Sequence, residues 1–284
     1  MSLRCATEKG IHMIRNADEL HCHIQGEGGP ELVILHPVGL DHTFMAGVID
    51  AASQSYKTLG LDLRGHGSSM PCRPETTLDT YVRDIQAAIR RHCTGKPIVL
   101  GLSFGGMLAQ KLALDDPDAV AGLILCGCTG GFSEQIRVAL RERGLKAQRE
   151  GMGAVVDETI ERWFTPAFKG NPAVEKIRHT LRHTSADNWS CAWHAIAQFD
   201  AMPRLGEIAV PTLVLGGEHD AATPLVATEQ LAGAIPCAQH VKLAGAPHMM
   251  QIETPDTFNA TVLEFLRAHW DPVRPTGGNT GRIQ

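Results

Sequence analysis

Short apolar runs recur along the chain: Leu32 to Leu35, Thr58 to Leu63, Pro97 to Leu100, Val120 to Cys126 and Val210 to Leu215. Runs of this length without polar alternation are expected of strands buried on both faces of a parallel sheet. Between them the period changes. Thr43 to Ala52 reads as a helix, and in Thr76 to Arg91 the residues Leu78, Tyr81, Val82, Ile85 and Ile89 form one stripe that predicts a helix laid on the sheet. After Leu100 the pattern restarts at Met107, Leu108, Leu112 and Ala113, and Asp115-Asp116-Pro117 ends that helix. Strand and helix in alternation predict an α/β fold with a mostly parallel, doubly wound sheet. Ile11 to Ile14 and Leu20 to Ile24, joined by Asn16 to Glu19, predict an antiparallel hairpin ahead of it.

The rhythm stops at residue 132. Residues 132–203 are helix-forming, with Arg137, Arg141, Arg143 and Arg149 interspersed among Ile136, Leu140 and Leu145, and they hold Trp163, Trp189 and Trp193. An all-helical insertion after the sixth expected strand, at the end where strands meet loops, is placed to act as a lid. Strands resume at Val210 to Leu215 and at His240 to Leu243, with helices over Leu225 to Ala232 and Thr254 to Trp270. The expected organisation is therefore a core of residues 1–131 and 204–270, a lid of 132–203, and a disordered Pro-, Gly- and Thr-rich tail of 271–284. Residues 1–10 read as a mobile leader. A length of 284 residues suits one domain with an insertion.

Charge narrows the partners. A formal net charge of -5 without a basic cluster points to neither nucleic acid nor an anionic membrane surface. No run approaches the ~18 apolar residues of a membrane span, so a soluble protein with a small-molecule substrate is expected. Eight cysteines are scattered without a C-x-x-C pair or a secretory leader, which predicts reduced thiols and a cytoplasmic location. His21 and His23 share a strand face but have no third ligand nearby in sequence, so neither a metal nor a cofactor is expected. A homo-oligomer is left open.

The chemistry centres on Gly101-Leu102-Ser103-Phe104-Gly105. G-x-S-x-G between a strand and a helix is the nucleophile elbow, in which small neighbours let the backbone turn sharply and present the serine. Serine needs a base to take its proton, and the base needs an acid to fix its tautomer. His248 follows the last strand and Asp220 the strand before it, while the loop between Cys126 and Phe132 holds no carboxylate. Glu218 is the rival acid; His219 and His36 are weaker rivals for the base. Two N–H groups must hold the developing oxyanion, with Phe104 as the first candidate and Val38, in the loop His36-Pro37-Val38-Gly39, as the second. Arg64 to Ser69 is glycine-rich but lacks the lysine of a phosphate loop.

Taken with Asp62 to Ser69, Gly216 to Pro224 and Ala246-Pro247-His248, these stretches resemble the α/β-hydrolase superfamily over residues 11–270. Within it the chain is most similar to the 3-oxoadipate enol-lactonases, since Lys146 to Met152 and Arg162-Trp163-Phe164-Thr165 occur in the corresponding order. The resemblance implies an α/β-hydrolase fold and a metal-free serine hydrolase acting on a small ester or lactone, with a carboxylate on the substrate. Candidate substrate contacts are His36, Trp163, Trp193 and Arg137, with Arg141 and Arg143 as further anion partners. Two departures bear on the pocket: His36-Pro37-Val38-Gly39 stands where enol-lactonases have Asn-Ser-Leu-Gly, and a lid tryptophan is replaced near Leu140. Ser103 at the elbow argues against the dehalogenases and epoxide hydrolases, which carry aspartate there. Carbon-carbon hydrolases would have asparagine where Leu102 stands and remain the alternative enzyme. Cofactor-free haloperoxidases are similar too. A ligand receptor without catalysis is the alternative of a different kind, because fold alone does not fix function.

Overall fold

A computed structural model describes residues 19–271. Strands β1 (Cys22–Gln25), β2 (Glu31–Leu35) and β3 (Lys57–Leu61) open the chain, with helix α1 (Ala46–Ala52) between the last two. Then come α2 (Leu78–His92), β4 (Ile98–Leu102), α3 (Phe104–Asp115) and β5 (Gly122–Cys126). Four helices form the insertion: α4 (Glu134–Glu150), α5 (Gly153–Trp163), α6 (Pro172–His183) and α7 (Ala186–Gln198). The core resumes with β6 (Thr212–Gly217), α8 (Leu225–Ala234), β7 (Ala238–Leu243), a short α9 (Met250–Glu253) and α10 (Pro255–His269).

The strands form a single sheet in the order β1-β3-β2-β4-β5-β6-β7. Only the β1–β3 pair is antiparallel. β2, β4, β5 and β6 are buried at every position, as their unbroken apolar runs demand, whereas edge strand β7 is mostly half-buried. The first strand of the expected hairpin, the expected leader and nearly all of the expected tail lie outside the described residues. The insertion follows β5, the fifth described strand. The expected last helix is observed as α10, which starts at Pro255 because a residue without an N–H costs nothing at a first turn, and the short α9 precedes it. No described helix is long and apolar enough to cross a membrane.

Because β2 and β4 to β7 run in parallel, the loops that follow them open at one end of the sheet, where ligands gather in such folds. The insertion rests on that end. Gly39, in the loop after β2, has φ +77°, and a Cβ there would stand 2.6 Å from Leu181 of α6 and 2.7 Å from Trp189 of α7. Inside the insertion, α4 crosses α7 at Gly144, where a Cβ would lie 3.0 Å from Ser190 Cα. Trp189 is fully buried beneath this crossing.

Candidate active site

Ser103 ends β4 and caps α3 with φ 53° and ψ −112°, and it is the one non-glycine residue at positive φ among the described residues. Such a conformation costs on the order of 1–3 kcal/mol and persists only where its surroundings impose it. The surroundings are tight. A Cβ on Gly101 would sit 2.3 Å from the Gly105 backbone, one on Gly105 2.3 Å from the Leu35 carbonyl oxygen, and one on Gly106 2.6 Å from Cys128 Sγ. The Ser103 N–H donates to the Cys126 carbonyl at 2.8 Å, tying the turn to β5.

Asp220 and His248 come from the loops after β6 and β7 and are both buried. Asp220 Oδ1 accepts from the N–H groups of Ala222 and Thr223 at 2.8 and 2.7 Å, which leaves Oδ2 to face His248 Nδ1 at 2.8 Å. With Nδ1 donating to the carboxylate, Nε2 is the nitrogen left to accept a proton. Gly127, at φ +51°, runs beneath this pair: a Cβ there would approach Asp220 Oδ2 and His248 Nδ1 to 3.3 Å each. Thr223 Oγ1 donates to the Gly127 carbonyl at 2.9 Å and holds the two loops together. The Trp163 ring lies across His248 at 6.2 Å between centroids.

Ser103 and His248 line one cavity with Val38, Trp163, Trp193 and residues of α4, and its free volume is about 50 Å³. Ligand pockets usually span roughly 300–1,000 Å³, so a substrate must displace side chains to enter. Phe104 is the first residue of α3, where an N–H has no intrahelical acceptor, and its buried ring meets Tyr81 edge-on at 5.1 Å. Ser103, His248, Asp220, Val38, Trp163 and Trp193 are therefore brought together. Glu218 is not: it turns outward to Lys242 Nζ at 3.0 Å and the Gly245 N–H at 2.9 Å, and His219 is exposed.

Two expected substrate contacts lie elsewhere. His36 is fully buried but points away from the cavity; Nδ1 donates to the Pro37 carbonyl at 2.8 Å, and Nε2 accepts the Leu63 N–H at 2.9 Å. Burial holds its pKa below the ordinary histidine value, which keeps Nε2 an acceptor. The His36 side chain anchors the Val38 loop to the segment after β3, so within this departure from the enol-lactonase pattern His36 alters an anchor while Val38 lines the cavity. Arg137 is consumed by the Phe132 and Ala197 carbonyls at 3.0 and 2.9 Å and by Asp200 at 3.4 Å, pinning α4 to the end of α7. Arg141 pairs with Glu134 on the outside.

The arginines that do line the cavity are Arg143 and Arg162. Arg143 stacks 4.7 Å over Trp193 and reaches Glu158 at 3.2 Å; burial, and after it the Arg162 charge, pull its pKa below the usual guanidinium value. Arg162 Nε is buried without a hydrogen-bond partner. Sequence reasoning passed over Arg162, although it lies one residue from Trp163 in a motif already noticed. It likewise saw no third partner for His21, since His42 and Asp62 reach it only through the fold: ligand atoms of the three lie within 4.8 Å of one another. His42 Nδ1 is 2.6 Å from Asp62 Oδ1, and Asp62 Oδ2 accepts the Ser68 N–H at 2.8 Å, so the pair buttresses the loop after β3.

An alpha/beta hydrolase family profile matches residues 32–261. The chain belongs to the alpha/beta hydrolase family. It is 28% identical over 241 residues to 3-oxoadipate enol-lactonase 2 of Acinetobacter baylyi, covering 84% of this chain and 89% of that one. Among solved structures it is similar to the enol-lactonase from Burkholderia xenovorans LB400, with a TM-score of 0.82 and 32% identity over 87% of this chain and 96% of that one. A malate-bound thermophilic esterase from Thermogutta terrifontis has a TM-score of 0.82 and 29% identity, over 88% of this chain and 94% of that one. The α/β-hydrolase fold expected from the sequence is the fold observed, and the family's relatives here are named hydrolases of the esterase and lactonase kind.

Proposed function

We propose that this alpha/beta hydrolase cleaves a small carboxylate-bearing ester or lactone through an acyl-enzyme on Ser103. The observation that carries the reading is the buried Asp220–His248 hydrogen bond at 2.8 Å, set beside the strained Ser103 in one cavity. His248 Nε2 takes the Ser103 proton as Oγ attacks the carbonyl carbon, while Asp220 stabilises the imidazolium. The Val38 and Phe104 N–H groups receive the oxyanion. Collapse breaks the ester C–O bond, and His248 returns the proton to the departing alkoxide or enolate. Water, deprotonated by His248, then attacks the acyl carbon and frees Ser103 with the acid product.

The carboxylate rests on Arg143 and Arg162, two guanidinium groups facing one small cavity, one of them with a buried unpartnered N–H. A bidentate partner for either is a carboxylate. A related thermophilic esterase was solved with malate, a dicarboxylate, bound. The insertion is the lid: Leu140, Arg143, Trp163 and Trp193 all come from it, and they must part to admit substrate. Steady-state rates on matched acidic and neutral lactones, esters and vinylogous 1,5-diketones test the reading. The expected result is fastest cleavage of an acidic lactone or ester. Faster cleavage of the diketones would transfer the chain to carbon-carbon hydrolysis, and a preference for neutral esters would remove the anion from the proposal.

A further inference from the structure

Away from the catalytic cavity, Cys72 and Cys191 line an open cleft between the loop after β3 and helix α7 of the insertion. Both thiols are free and only partly buried. The Tyr81 hydroxyl contacts both, 3.2 Å from Cys72 Sγ and 4.0 Å from Cys191 Sγ, and the two thiols are close enough to interact with each other. The backbone is held in register at the same place, because the Cys72 N–H donates to Asn188 Oδ1 at 3.0 Å. Asn188 and Cys191 are three residues apart on α7 and so share the face turned to this loop. Scattered cysteines with no C-x-x-C spacing gave no hint of the pairing.

We propose that Cys72 and Cys191 form a peroxide-sensitive dithiol whose disulfide staples the insertion to the core. The pair is asymmetric in the way such chemistry needs. Cys191 is drawn below the ordinary thiol pKa chiefly by the hydrogen bond from Cys72, with Tyr81, Thr76 and the Arg64 charge adding to it against the effect of burial. Cys72 is pushed above the ordinary value by the same hydrogen bond and then by burial. In the proposal Cys191 is the first thiolate and Cys72 the resolving thiol, both lining the open cleft through which peroxide arrives.

The Cys191 thiolate attacks one oxygen of hydrogen peroxide; an S–O bond forms, the O–O bond breaks, and the departing hydroxide takes up the proton Cys191 gave away, leaving as water. Cys72 Sγ then attacks the sulfenic sulfur, forming the S–S bond and breaking the S–O bond, and its proton leaves with the hydroxide as a second water. Two thiols lose two electrons in all, and one peroxide becomes two waters. The staple joins α7, which carries Trp193 of the cavity, to a loop that has Tyr81 and Phe104 beneath it. A fixed α7 opposes the side-chain displacement that the small cavity requires of an entering substrate.

The test treats the full-length protein with limiting hydrogen peroxide and maps peptides without reduction. Expected are a Cys72–Cys191 crosslinked peptide, a fall of about tenfold in hydrolysis of an accepted ester, and recovery with dithiothreitol. In Cys72→Ser, dimedone should instead capture a sulfenic acid on Cys191. In the untreated native protein, iodoacetamide should modify Cys191 faster, and from lower pH, than the exposed Cys237, a readout that needs no variant to fold. The proposal is overturned if Cys72 and Cys191 remain alkylatable after peroxide treatment, or if Cys191 reacts no faster than Cys237. The crosslink is read by mass and is independent of any activity; only the rate arm rests on the hydrolase reading. A crosslink that leaves the rate unchanged overturns the stapling of the lid.

Discussion

The sheet end and the helical insertion contribute to the same cavity, yet they fix their side chains by different physics. Ser103, Asp220 and His248 are placed by backbone: a positive φ at the elbow, two N–H groups on Asp220 Oδ1, and Gly127 lying under the Asp–His pair. Arg143, Arg162 and Trp193 are placed by side-chain packing on helices, with Arg143 resting on Trp193 and Arg162 Nε left without a partner. Backbone placement costs strain and tolerates no drift, which suits bond-making groups. Side-chain placement can yield, which suits groups that must part for a ligand. In the proposed function the core performs the chemistry and the insertion selects what reaches it.

The largest effect that would break this division is at the core. Ser103→Ala and His248→Ala should each lower turnover by about 10⁴ to 10⁶, and the double variant little further, because the groups act as a unit. Asp220→Asn should cost less, and Glu218→Gln almost nothing; a larger loss from Glu218→Gln, read in steady-state kcat, would move the acid to the exposed residue. The insertion should behave otherwise. Arg143→Leu and Arg162→Leu should lower kcat/KM for a carboxylate ester by about 10- to 100-fold while sparing its neutral analogue. Equal losses on both substrates would show the arginines to be packing groups, and the contrast between the regions would fall.

Gly127→Ala sharpens the comparison at smaller scale. Its Cβ would press on the hydrogen-bonded Asp220–His248 pair at 3.3 Å, and its φ of +51° disfavours alanine. A rate loss of about tenfold with KM little changed is expected, along with ~1 kcal/mol of stability measured in urea. An unchanged rate would mean that the pair is held from elsewhere.

The smallest effect is on stability against pH, and it too belongs to the core. Burial, and then the neighbouring His36, hold His66 at about 3. Burial raises Asp62, but hydrogen bonds from His42 and Ser68 outweigh it and bring the group down to about 2. Both folded values lie below the unfolded ones, so the unfolded chain binds more protons and stability falls on acidification. His66 contributes above about pH 6.5 and loses that contribution as pH falls toward 3; Asp62 loses its own below about pH 4. Thermal unfolding between pH 7 and 4 should give a falling Tm, with a shallower slope in His66→Gln. An identical slope in the variant would contradict the assignment.

Most of the core was legible in the sequence, because its elements are local. Continuous apolar runs mark β2, β4, β5 and β6, and the elbow needs its glycines within two residues of Ser103. The Asp220–His248 pairing could be read from sequence because each residue directly follows a strand of the parallel set. The insertion was less legible, since which face of α4 meets the cavity depends on a partner some 50 residues away. Arg137 and Arg141 share one face at i,i+4, while Arg143 shares its face with Leu140 at i,i+3, and only the latter pair lines the cavity. His36 misled for a related reason: a histidine beside an oxyanion loop looks like a ligand contact until Leu63, brought alongside by β3, is seen to take Nε2. Cys72 and Cys191 meet through the same kind of long-range contact.

An activated Ser103 nucleophile would react with a fluorophosphonate probe, with the adduct mapped by mass spectrometry. The expected result is a single covalent adduct on Ser103, formed rapidly in the native protein and slowed by several orders of magnitude in His248→Ala. A protein that turns over an ester yet carries no adduct on Ser103, or is labelled equally fast without His248, would contradict it.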